Sequence, residues 1–203
     1  MFSSRLELIK IINPTWGQEI ENFVVINNEF IPYLDIISIN DKPLELKEIN
    51  NLFEDILYCM CSCGVNAKFG YNLYLKVKQF LNINYPCQDF DFKISETKRK
   101  YIKSLIDNLL ENNIKPDEMT FDLFIKHKLQ KIKGIGETTL SIIFSKYNDD
   151  WSILPLTDRN VISSIKKVYG VNIKSKKEIK NISKTWSNPK VAVAFLRNIY
   201  NYT

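Results

Sequence analysis

With 203 residues, 45% of them apolar and 25% charged, the chain is long enough for one large domain or two small lobes around a real core. That balance excludes an intrinsically disordered chain; no apolar run reaches the length of a membrane span, and "MFSSRLELIKIINPTW" carries charge too early for a secretory signal. An intracellular protein is therefore expected, in cytoplasm and nucleoid or in a nucleus. The net charge of +5 hides an asymmetry: residues 161–190 hold eight lysines and one acid, a sum of +7, which leaves −2 on the rest. Such a basic face is either the electrostatic footprint of a polyanion or a merely solvated surface.

The first forty residues read differently from the remainder. "ENFVVINNEFIPYLDIISIN" has β-branched and aromatic runs around Asn27-Asn28, and predicts a hairpin or short strands. From there on the pattern is helical. Ile49, Leu52, Phe53, Ile56, Leu57 and Met60 recur at helical spacing. A second helix is predicted over 67–81, with Phe69, Leu73, Leu75, Val77 and Phe80 mostly inward, and Pro86 breaks the loop after it. Ser95 supplies an N-cap for a helix whose stripe is Ile102, Leu105, Ile106, Leu109 and Leu110. Pro116 and two acids open the next, with Leu123, Phe124, Leu129 and Ile132 facing inward. Beyond a glycine pair, Leu140, Ile142, Ile143 and Phe144 mark another helix. A further one runs from 159 with Val161, Ile165 and Val168, ended by Gly170 as a C′ residue. The last follows Pro189 and carries Val191, Ala194, Phe195 and Ile199.

The cysteines and the histidine point away from metal chemistry. Cys59, Cys61 and Cys63 alternate, so on a helix successive members project about 200° apart and cannot converge on one ion. They read as small packing residues, with neither a zinc site nor a disulfide framework. His127 lies on a lysine-flanked helix and reads as a surface residue, which argues against catalysis through a histidine.

The glycine pair lies in "KIKGIGETTLSIIFSKY". Glycine costs a helix about 1 kcal/mol, so backbone geometry outweighs propensity here. Gly134 and Gly136 permit positive φ and close approach, Ile135 would plug the turn into the core, and the next helix begins at Glu137. Amides at 134–139, at the positive end of that helix, suit a phosphate oxygen. This is a helix-hairpin-helix, over about 121–147, or else a tight turn between packed helices.

"LQKIKGIGETTLSIIFSKYNDDWSILPLTDRNVISSIKKVYG" resembles the helix-hairpin-helix DNA glycosylases, whose core is similar to L-P-G-[IV]-G-x-x-T-A followed about twenty residues later by an aspartate that opens a helix. Asp158 stands 22 residues after Gly136, similar to the alkyladenine (3-methyladenine) branch. The helix before the hairpin, "LFEDILYCMCSC" and the closing "WSNPKVAVAFLRNIY" extend the resemblance loosely to about 160 of 203 residues. It implies a mainly α, two-lobed glycosylase fold, with a central lobe over 42–150 and a second lobe from 1–41 plus 151–203. It also implies a monomer acting on double-stranded DNA that contains a damaged base, with no membrane.

Asp158 has a structural reading as the N-cap bonding the amides of residues 160–161. The resemblance adds a catalytic one, in which a rigid carboxylate stabilises the oxocarbenium-like sugar as the base leaves and positions water. Phosphate contacts are implied for Lys133, Gly134, Gly136, Thr138 and Thr139. Strand-cleaving relatives carry a Schiff-base lysine two residues after the second glycine; here that position is Thr138, which implies hydrolysis without lyase chemistry. The alkyladenine branch typically has a stacking aromatic there, so that platform is missing. The wedge position falls on Gly64, with Ile94 at a second intercalating position or as a buried loop anchor. Tyr71, Ile142 and Trp151 are candidates for the pocket or for ordinary core. No cysteine lies beyond Cys87, so no iron–sulfur cluster is expected; a monovalent cation at the hairpin is the one candidate cofactor. Two rivals stay open: a bifunctional oxidised-base glycosylase using another lysine, and a non-catalytic DNA-binding module.

Overall fold

The structure, a computed structural model, describes residues 4–36, 51–148 and 153–199. In chain order its helices are α1 (Ser4–Ile12), α2 (Pro14–Ile26), α3 (Leu52–Ser62), α4 (Ala67–Asn84), α5 (Glu96–Glu111), α6 (Phe121–Lys126), α7 (Glu137–Tyr147), α8 (Arg159–Tyr169), α9 (Lys176–Ser183) and α10 (Pro189–Ile199), with short 3₁₀ turns between some of them. No strand occurs among the described residues. The chain divides into two compact units: Met1–Glu45 with Trp151–Thr203, and Leu46–Asp150.

The predicted N-terminal hairpin is corrected by the structure: "ENFVVI" completes α2, and Asn28–Ile36 is a 3₁₀ segment. Tertiary burial overrides β propensity. Asn13 caps α2 by accepting from the Trp16 amide, with Pro14 in the first turn. Ile20, Phe23 and Val24 then fall on one buried face at helical spacing. Phe23 and Phe30 meet at 4.9 Å between ring centroids, and Phe30 meets Phe195 edge-on at 5.2 Å. Around these rings α1, α2, the 3₁₀ segment, α8 and α10 pack into one core.

The second core belongs to Leu46–Asp150. It gathers α3 residues Leu52, Ile56, Leu57 and Met60 with Leu73, Val77, Ile102, Leu105, Phe124 and Ile143. On α4 the buried row is Leu73, Tyr74, Val77 and Leu81; Phe69 and Leu75, expected inside, are 57% and 43% exposed. A row at i, i+3/i+4 through Leu73 excludes Leu75, whereas Phe69 shares that row but lies in the first turn of α4. Leu110 is likewise exposed, one residue round from Leu109. The single helix expected after Pro116 is broken into a 3₁₀ turn, α6 capped by Thr120, and a second 3₁₀ turn beyond Lys128, whose φ is +56°. Ile49 lies outside the described residues.

Candidate active site

At the hairpin the two glycines do different work. Gly134 has φ +100°, and a Cβ there would stand 2.5 Å from Tyr101 Cγ, so positive φ and close packing on α5 both demand glycine. Gly136 is extended at φ −100° and ψ −179°, caps α7 without a side chain, and a Cβ on it would meet nothing within 4 Å. Ile135 is buried in the core of its unit, as the sequence predicts. Its amide, however, donates to Ile132 O at 3.0 Å, which removes it from the expected phosphate cradle. Thr139 is also buried, so its side chain cannot meet a ligand at the surface; Lys133 is exposed and Thr138 half-buried. The open side of this bend is therefore at Lys133 and Gly136.

Asp158 caps α8. Its Oδ1 accepts from the Asn160 amide at 2.9 Å and the Val161 amide at 3.5 Å. Sequence reasoning missed the other oxygen: Arg197 Nε donates to Oδ2 at 3.1 Å. The Asp158 side chain is 17% exposed and that of Arg197 30%. Asn188 caps α10 through the amides of Lys190 and Val191, and α10 turns Val191, Phe195, Leu196 and Ile199 into the core. Arg197 is thereby left at the start of α8. No local spacing could reveal a partner 39 residues away.

In this same unit all eight lysines of residues 161–190 are exposed. α9 buries Ile179 and Ser183, and its lysines 176, 177 and 180 stand on the solvent side. Ser175 caps it, and the Lys174 amide donates to Glu178 at 3.0 Å, holding that carboxyl below its ordinary range.

The other candidate positions lie in Leu46–Asp150. Gly64 is exposed with φ +71° and open space around it, so the chain has no wedge side chain at that position. Ile94 is half-buried against the core. Tyr71 is 44% exposed and packs edge-on to Tyr58 at 6.3 Å, while Ile142 is half-buried. Trp151 lies outside the described residues. His127, expected at the surface, is half-buried with its Nδ1 2.7 Å from Asn112 Oδ1. Of the three alternating cysteines, Cys61 alone is buried, which pushes its thiol up to about 12; Cys63 is exposed.

Two buried charges in this unit carry a sequence signal, each being a charged residue within an apolar pattern. Lys98 falls on the inward stripe of α5 and donates through Nζ to the carbonyls of Met60 (3.2 Å), Cys61 (2.7 Å) and Cys63 (2.7 Å), capping the C-terminal end of α3 just before Gly64. Burial pushes its ammonium below the usual lysine range. Asp55 sits within an apolar run and is fully buried; its Oδ2 accepts from Lys146 Nζ at 2.6 Å and from the Tyr147 hydroxyl, tying α3 to α7. Burial raises its carboxyl above the ordinary value despite both donors.

Neither a protein-family model nor a curated protein sequence matches the chain. Among solved structures, the S. pombe 3-methyladenine DNA glycosylase (Mag1) in complex with abasic DNA is similar, with a TM-score of 0.54 over 75% of this chain and 81% of that one, at 19% identity. The likeness concerns architecture: this chain has the helical fold of a DNA glycosylase.

Proposed function

We propose that the protein is a monofunctional DNA glycosylase of base excision repair, hydrolysing the N-glycosidic bond of a flipped, alkylated base in double-stranded DNA. One observation carries the reading: in a chain with a glycosylase fold, the Asp158 carboxylate is anchored at the start of α8 and remains partly exposed. The base–C1′ bond breaks with its electron pair leaving on the base, and the sugar becomes cationic. A fixed carboxylate lowers the energy of that cation. Water adds its oxygen to C1′ and releases a proton to the carboxylate or to solvent, leaving an abasic site. Lys133, the amide side of Gly136 and the exposed lysines of α8 and α9 hold phosphates, with affinity falling as salt rises. This chemistry calls on no metal or cluster. Thr138 at the Schiff-base position favours hydrolysis without lyase chemistry.

The test is a panel of duplexes, each with one alkylated, oxidised or deaminated base, scored for abasic sites and for borohydride-trapped adducts. Release of an alkylated base with no adduct is expected. An adduct would establish a lyase using another lysine. The bare loop at Gly64 favours a second reading, a DNA-binding module without catalysis, which wins if no duplex yields an abasic site.

A further inference from the structure

On the reading of Asp158 as the catalyst, we infer that Arg197 is a positioning residue that locks the plane of the Asp158 carboxylate. An aspartate tied only through its N-cap oxygen retains freedom about χ2, a broad sp³–sp² torsion. Here the two oxygens are held by different elements. Oδ1 receives the backbone amides of α8, and Oδ2 receives Nε from a side chain on α10. A carboxylate presents about four acceptor sites. With two amides on Oδ1 and one N–H on Oδ2, one site on Oδ2 remains for the sugar cation or the attacking water. The small exposed fraction of the side chain confines that approach to a narrow direction.

The guanidinium is poorly arranged for stability alone. Among the described residues its Nη2 is buried with no hydrogen-bond partner, an unfavourable state for a charged donor. A partly exposed ion pair contributes little in return. The guanidinium also draws off some of the negative charge that stabilises the sugar, so its removal has two opposed effects. A misplacement of about 1 Å in a reacting group costs on the order of 100-fold in rate, and the charge effect, of opposite sign, reduces the net loss without cancelling it.

The experiment compares wild type, Asp158→Asn, Arg197→Ala and Arg197→Lys on duplex DNA methylated with dimethyl sulfate. Released bases are followed in single turnover at saturating enzyme, DNA affinity is measured separately, and thermal melts confirm folding. Arg197→Ala is expected to lose roughly 10- to 100-fold in rate with unchanged affinity. Arg197→Lys should fall between it and wild type. Millimolar guanidinium should restore Arg197→Ala and leave Asp158→Asn inactive. A wild-type or faster rate in Arg197→Ala, beside an inactive Asp158→Asn, would overturn the positioning role and leave the catalytic reading of Asp158 standing. Loss of rate that guanidinium does not rescue, with a lowered melting temperature, would make Arg197 a packing residue only. If wild type releases no base from this DNA or from any duplex of the lesion panel, the catalytic reading fails and the role of Arg197 falls with it.

Discussion

The ring of Tyr101 lies 2.5 Å from where a Cβ on Gly134 would stand, so α5 and the bend at residues 133–136 are fitted to each other through a missing side chain. Two residues on, Gly136 faces open space. One glycine serves the fold and the other leaves a surface accessible.

Gly134→Ala should therefore destabilise the protein. Positive φ costs about 1–3 kcal/mol, and displacing the Tyr101 ring adds an overpacking cost of about 1–3 kcal/mol. Gly136→Ala, in extended backbone with room for a methyl group, should cost no more than about 1 kcal/mol while weakening DNA binding. Urea unfolding and titration with duplex DNA separate the two; equal stability losses would contradict the division of labour.

The exposed lysines of α9 should act on affinity and not on chemistry. Replacing Lys176, Lys177 and Lys180 together by alanine should reduce the slope of log affinity against log salt by about 0.9 for each phosphate left unneutralised. The rate of base release at saturating enzyme should stay at the wild-type value. An unchanged slope would mark this face as merely solvated.

Lys98→Met removes the donor to three carbonyls at the end of α3. The expected loss is about 2–4 kcal/mol, since orphaned buried acceptors cost on the order of 1–3 kcal/mol each and water reaches some of them. Hydrogen exchange should rise first at the end of α3 and in the loop through Gly64. A variant as stable as wild type would show that the ammonium only offsets its own burial.

Asp55 gives stability a pH dependence of defined sign. Burial raises its folded-state value above the unfolded one, near 3.8, so the native state binds that proton more tightly. The resulting stabilisation is fully present below the unfolded value and is lost as pH rises through the raised folded value. Asp55→Asn lacks this dependence. The stability of wild type relative to the variant should fall as pH climbs from about 4 towards neutrality, read from urea midpoints; a relative stability that rises with pH would contradict it.

Much of this is legible in the sequence because it depends on local chemistry. The N-caps at Ser95 and Asp158, the C′ glycine at Gly170 and the inward Ile135 follow from residue type at short spacing. The N-terminal segment misleads because "FVVINNEF" satisfies a strand pattern while its burial comes from Phe195, far along the chain. Lys98 and Asp55 stand out in the sequence as charges on apolar stripes, but their burial does not follow from that signal, because only distant partners hold these two inside. The guanidinium on Asp158 has the same origin in long-range packing.

Asp158→Asn separates chemistry from binding at this site. Asn keeps an oxygen that can accept from the Asn160 amide, so α8 should remain capped and the duplex should still bind. Base release from methylated duplex, measured in single turnover, should fall by orders of magnitude with the dissociation constant little changed. Release at the wild-type rate would show that this carboxylate does not carry the chemistry.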